Sequence, residues 1–187
     1  MQSTALINAL FCFILIAALP KIFFRQDGTY NLKWILTGAP YFLSGLACIL
    51  SFTGHNPISI NDQSTAYLVL QGFSAILFMA SVGLMTMTLG THRIPLALWH
   101  QDNDAPRTIV TWGAYKYIRH PFYTSFLLSL LGGVCLAPSF ATIAILVYGY
   151  VAKNQTAKKE EGKLSASELG AEYVPYIKTT GRFFPKF

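Results

Sequence analysis

The chain alternates between long apolar runs and short polar ones, with apolar stretches at residues 3–24, 32–52, 65–90, 122–137 and 140–152. Crossing ~30 Å of hydrocarbon takes about 20 apolar residues in a helix, so the first three stretches are predicted spans. The fourth is shorter, and Pro138 ends it. In the fifth, Lys153, Asn154 and Gln155 arrive before a full thickness is crossed, so that helix is expected to face a polar cavity or to emerge early. It should run on through Lys158-Lys159-Glu160-Glu161 to Leu169, with Gly170 as a left-handed stop. Pro40 is expected to kink the second helix. Ser125, Ser129, Gly133 and Ala137 recur every four residues, a ridge of small side chains that permits close helix approach. The connection 91–120 is too apolar for a disordered linker, and is expected to lie on the membrane surface with Trp99 and Trp112 at headgroup level. Gly113 should turn it into the fourth span.

The pattern predicts an all-α integral membrane protein with five transmembrane helices and a C-terminal amphipathic helical extension. It forms one domain over 1–187: a three-span part (1–90), an interfacial connector (91–121), and a helical hairpin with tail (122–187). Composition agrees, with 53% hydrophobic and 12% charged residues and a mean hydropathy of +0.43. The first apolar run lacks a basic leader and a small-residue cleavage pattern, so it is expected to be a retained span. The net charge of +6 does not indicate nucleic-acid binding, because the basic residues sit between apolar runs. Cys12, Cys48 and Cys135 lie singly inside apolar runs, which gives no metal site and no disulfide framework. With five spans, all 14 Lys and Arg fall on one side, which predicts the N-terminus outside and the C-terminus in the cytosol.

Candidate chemistry concentrates at Gly113-Ala114-Tyr115-Lys116-Tyr117-Ile118-Arg119-His120-Pro121-Phe122-Tyr123. Pro121 biases His120 away from the α region, so Arg119 and His120 sit at a bend where a helix begins. A helix start presents unpaired N–H groups that favour a carboxylate or phosphate. Taken singly, Arg119 and Lys116 read as interface anchors, and Glu160-Glu161 as part of a solvated helix face. The hairpin 122–152, however, returns the acids to the membrane face that carries the corner. Adjacent residues point about 100° apart on a helix, so Glu160 and Glu161 should differ in their contacts, one facing a pocket and the other Lys or solvent.

The linked motifs Gly113-x-Tyr115-x-x-x-Arg119-His120-Pro121-x-Tyr123, Glu160-Glu161-x-x-Leu164, Leu169-Gly170-x-Glu172-Tyr173-x-x-Tyr176 and Arg182-x-x-Pro185 resemble the isoprenylcysteine carboxyl methyltransferase family and its phospholipid methyltransferase relatives. The resemblance covers roughly the last 80 residues. It implies an integral multi-pass membrane enzyme that uses S-adenosylmethionine at the cytosolic face and takes a lipophilic or lipidated acceptor from among the membrane lipids, without metal. By motif position, Tyr115, Arg119, His120, Pro121 and Tyr123 would line the cofactor's amino-acid end. Glu160 and Glu161 would be the paired acids of cofactor binding, and Tyr173, Tyr176 and Arg182 would belong to a terminal lid-like segment. Arg119, Glu161 and Arg182 are the implied catalytic groups. Carboxyl methylation of a prenylcysteine-like acceptor leads, with N-methylation of a phospholipid amine or S-methylation of a small thiol as alternatives. Carboxyl-methylating members carry arginines just before the paired acids, where this chain has Lys153, Asn154 and Gln155. Membrane sterol-type reductases that use NADPH share the Arg-His-Pro spelling but place Asn after the proline; here Phe122 follows. A non-enzymatic membrane scaffold would explain the spans but not the linked motifs.

Overall fold

The computed structural model describes Ile7, Phe24, Arg25 and residues 27–53, 65–91 and 108–186. The first predicted span and the connector stretch 92–107, with Trp99, lie outside the described residues, apart from Ile7 and Phe24. The described residues form five α-helices and no strand: α1 (Leu32–Phe52), α2 (Thr65–Thr91), α3 (Pro121–Leu136), α4 (Phe140–Ser165) and α5 (Gly170–Thr179). A 3-10 turn at Gly113–Lys116 precedes α3.

Local chemistry fixes most helix ends. Asn31 caps α1, its Oδ1 accepting from the Trp34 N–H at 3.2 Å. Pro121 opens α3 at the one turn where a missing N–H costs nothing. Ser139 and Thr142 exchange side-chain and backbone hydrogen bonds in a capping box that starts α4. Two ends differ from expectation. Helix α4 stops at Ser165, and Gly170 opens α5 without adopting a positive φ. Gly170 is there for space: a Cβ would lie 2.3 Å from the Ser165 carbonyl oxygen, so only glycine lets α5 fold back onto the end of α4. Pro175 does not interrupt α5, since it removes only one bond from a ten-residue helix. Gly113, by contrast, has φ +61 and makes the expected turn.

Helices α1 and α2 are long and apolar enough to cross a membrane, and α3 is a shorter apolar helix. Ser74 and Ser81 on α2 donate to the Gly132 and Ser125 carbonyls of α3 at 2.9 and 2.6 Å, and Gln71 donates to the Leu136 carbonyl at 3.2 Å. Such bonds, together with tight packing, hold helices together where surrounding lipid is as apolar as the core. The small-residue ridge serves this packing: Ser125, Ser129 and Gly133 are buried, and a Cβ on Gly133 would lie 2.6 Å from Ser44 Oγ of α1. Tyr41, Met85, Phe126 and Leu130 join α1, α2 and α3 in one cluster. The outward side chains of α2, Leu68, Phe73, Ile76 and Met79, are exposed, an apolar surface suited to hydrocarbon.

These contacts give direction to the bundle. Along α3, Ser81 meets Ser125 while Gln71 meets Leu136, so α2 runs opposite to α3. Tyr41 packs on Phe126 and Cys48 clusters with Leu136, so α1 runs with α3. Helix α4 returns from Ser139, and its Tyr148 hydroxyl donates to the Leu36 carbonyl at 2.6 Å. One end of the bundle therefore collects the start of α1, the end of α2, the start of α3 and the far part of α4. The turn at Gly113 abuts Thr91 there, since a Cβ would lie 2.6 Å from Thr91 Oγ1.

Candidate active site

At that end the chain returns to the corner for a second time. After α5, Gly181 pairs with Ile118 in a parallel bridge; the Arg119 N–H donates to the Gly181 carbonyl at 2.8 Å and the His120 N–H to the Arg182 carbonyl at 3.1 Å. Two backbone N–H groups at the helix start are thereby satisfied by the tail. Thr124 Oγ1 donates to the Phe183 carbonyl at 3.0 Å, and Phe183 is buried against Tyr123 and Ala157. The tail is thus a packed wall of the site.

Three segments converge on Glu161. Arg119 Nε donates to Oε1 at 3.0 Å; Arg182 donates through Nε to Oε1 at 3.1 Å and through Nη2 to Oε2 at 2.5 Å. The two-pronged Arg182 contact matches the planar fork of a guanidinium to a carboxylate. Arg119 also donates from Nη1 to the carbonyls of Ile177 (3.2 Å) and Thr180, tying the end of α5 to the corner. Arg182 Nη1 reaches Asn154 Oδ1 at 2.7 Å. Burial pushes the Glu161 carboxyl up, but His120, Arg182 and Arg119 together outweigh it and hold it well below the usual carboxylate range.

Glu160 has different company. It accepts from the Tyr123 hydroxyl at 2.6 Å, and His120 Nδ1 lies 3.6 Å from its Oε2. Burial dominates and raises its carboxyl above the usual range, against the opposing pull of His120, Tyr123 and Lys153. His120 stands between the two acids, with Nε2 3.3 Å from Glu161 Oε1, and stacks on Tyr123 at 5.3 Å between centroids. That Nε2 is buried and has no aligned hydrogen-bond partner.

Neither acid faces solvent; of the expected alternatives for the second acid, Lys or solvent, solvent is not what the structure shows. Glu160 is 8% exposed and Glu161 7%, because α4 is flanked on two sides at this level, by the corner with α3 and by the tail. Their contacts nonetheless differ, as the angle between adjacent helix positions requires.

The structure brings Arg119, His120, Pro121, Tyr123, Glu160, Glu161 and Arg182 together. Tyr176 joins through its hydroxyl, which donates to the Tyr115 carbonyl at 2.5 Å. Its phenol is pushed up to about 12, first by burial. Tyr173 packs beside Tyr176 at 5.9 Å, and its phenol and that of Tyr115 are both raised by burial first. Reading by motif did not single out Asn154, Thr124 and Phe183 as site residues. Nor did it find Lys153 a place: its ammonium is buried against the rings of Tyr41, Tyr123 and Phe126. The signal for Lys153 and Asn154 was present, as polar residues appearing early in an apolar helix.

Residues 100–166 match the family described as "Isoprenylcysteine carboxyl methyltransferase (ICMT) family". The chain is also 29% identical over 111 residues to the Cobalt-zinc-cadmium resistance protein CzcN of Cupriavidus metallidurans, covering 59% of this chain and 50% of that protein. The chain thus spans about half the length of the curated relative it matches. The 100–166 match takes in the corner, α3, α4 and the paired acids, and stops short of Tyr173, Tyr176 and Arg182. The resemblance carried by the motifs is therefore shown in that stretch: the part of this chain that holds the corner and the paired acids is similar to the ICMT family, a family of methyltransferases.

Proposed function

We propose that the chain transfers a methyl group from S-adenosylmethionine to a lipophilic acceptor dissolved in the bilayer, at the cytosolic face of a five-span membrane domain. The observation that carries this reading is the convergence of Arg119, His120, Glu160, Glu161 and Arg182 from three separated segments into one almost buried cluster. Burying this many charges is a poor way to gain stability, since desolvation offsets most of the attraction. Such an arrangement fits a site that handles a charged ligand.

The residues present fit the cofactor's chemistry. Arg119 and Arg182 offer guanidinium groups suited to its carboxylate, and His120, with Nε2 3.3 Å from Glu161, adds a polar group beside them. Glu160, which accepts from the Tyr123 hydroxyl and lies beside His120, suits an ammonium or ribose hydroxyls. The rings of Phe183 and Tyr150 suit a sulfonium. When bound, the cofactor would supply a methyl carbon already activated by the adjacent sulfonium. This chain's part would be to orient the reactants and exclude water, with the packed tail as a cover. Carboxyl methylation of a prenylcysteine-like acceptor is the leading form, because a carboxylate acceptor needs no general base. An amine or thiol must first lose a proton.

Thermal unfolding of the purified protein in detergent, titrated separately with S-adenosylhomocysteine and NADPH, tests this. S-adenosylhomocysteine should raise the unfolding temperature and NADPH should not. The reverse pattern would replace methyl transfer with the reductase reading.

A further inference from the structure

Lys153 is almost completely buried, at 5% exposure, in a helix that comes back through the apolar bundle. Its ammonium lies 5.0 Å from the ring centroid of Tyr123, 5.1 Å from Phe126 and 5.8 Å from Tyr41. Three aromatic faces within about 6 Å of one cation form the type of cage that recognises methylated ammonium groups. Here the chain's own cation fills it. The cage shares a wall with the acid cluster, because the Tyr123 ring that faces Lys153 carries the hydroxyl bonded to Glu160. Tyr41 and Phe126 also belong to the core cluster joining α1, α2 and α3, so the cage is held from several helices at once.

We infer that Lys153, seated in the Tyr41–Tyr123–Phe126 cage, is a specificity-determining residue that excludes ammonium head groups from the site and reserves it for anionic or neutral acceptors. This rests on the methyl-transfer reading and selects among its acceptors. An acceptor amine and its methylated products are cations, and the place where aromatic faces would hold them is already taken by a like charge. A carboxylate or thiolate meets the opposite field. Three basic side chains, Arg119, Arg182 and Lys153, face two acids, Glu160 and Glu161, within reach of the cage.

The test compares wild type, Lys153→Ala and Lys153→Met in detergent, with tetramethylammonium as probe and thermal unfolding as readout. Lys153→Ala empties the cage; Lys153→Met keeps it filled with an uncharged chain. Tetramethylammonium should stabilise Lys153→Ala at a half-saturating concentration roughly tenfold or more below any effect on the other two proteins. Equal response of wild type and Lys153→Ala, or of Lys153→Ala and Lys153→Met, overturns the proposal. S-adenosylhomocysteine is titrated in the same preparations, and its failure to stabilise any of them would overturn the methyl-transfer reading instead. Wild type alone gives a second check that does not depend on the variants folding. Incubated with methyl-labelled S-adenosylmethionine and phosphatidylethanolamine vesicles, it should leave the amine unlabelled, and label on that amine contradicts the filter.

Discussion

Glu160 and Glu161 are neighbours in sequence yet belong to two chemically different halves of the site. The Glu161 half is built of guanidinium groups and tail backbone: Arg119 and Arg182 saturate the carboxylate, and Arg119 also holds the Ile177 and Thr180 carbonyls. The Glu160 half is aromatic, with the Tyr123 hydroxyl, the stacked His120 ring and the Lys153 cage. One residue's step around α4 separates a carboxylate held below its ordinary range from one raised above it. Glu161 fastens the tail onto the corner, and under the proposed function Glu160 is the acid that meets the ligand.

Glu161→Gln should break this comparison most severely. It leaves the nearly buried Arg119 guanidinium and the partly exposed Arg182 guanidinium without their counter-charge, at an expected cost of about 3 kcal/mol in unfolding stability, with the tail released to proteolysis. Glu160→Gln should cost only about 1 kcal/mol of stability, because an amide can still accept from Tyr123. It should instead weaken cofactor binding by about 1–3 kcal/mol, read from equilibrium titration with S-adenosylhomocysteine. Equal effects of the two substitutions on both measurements would erase the division.

The acids should also respond to pH with opposite signs. The folded Glu161 carboxyl is depressed, so its contribution is present above the unfolded value of about 4.3 and is lost as pH falls toward the folded value. The gap in stability between wild type and Glu161→Gln should therefore shrink below about pH 4. The folded Glu160 carboxyl is raised, so the protonated form favours the fold; wild type should lose stability relative to Glu160→Gln as pH rises above about 4.3. Unfolding curves of the three proteins across this range check both signs.

Arg119→Lys sharpens the same boundary with a smaller effect. A lysine keeps charge but cannot bond Glu161 and the two carbonyls at once, so about 1–3 kcal/mol of cofactor-induced stabilisation should be lost. Full thermal response to S-adenosylhomocysteine in this variant would leave Arg119 a structural tie between the corner and the tail, with no part in holding the cofactor. Asn154→Ala should be the mildest, removing one of the Arg182 bonds at about 0.5–1.5 kcal/mol.

The corner was legible in the sequence because its determinants are local: Gly113 turns with φ +61, and Pro121 opens the helix. The division between the acids was legible as an angle on a helix, but its content was not. Which side of α4 is covered depends on a tail beyond α5 that pairs Gly181 with Ile118. Gly170 was misread for a related reason. A glycine after a helix suggests a left-handed stop, whereas here it permits the close approach to the Ser165 carbonyl, a tertiary demand invisible to local pattern. Lys153 showed only as polarity arriving early, since its cage is assembled from α1 and α3.

The most direct test of the account is transfer itself. Wild-type protein in lipid vesicles, given methyl-labelled S-adenosylmethionine and a lipid extract, should place label on an extractable, apolar, base-labile methyl ester, and Glu160→Gln should do so at least about tenfold more slowly at limiting cofactor. Label confined to water-soluble products, or absent from every lipid fraction while the protein remains folded, would contradict it.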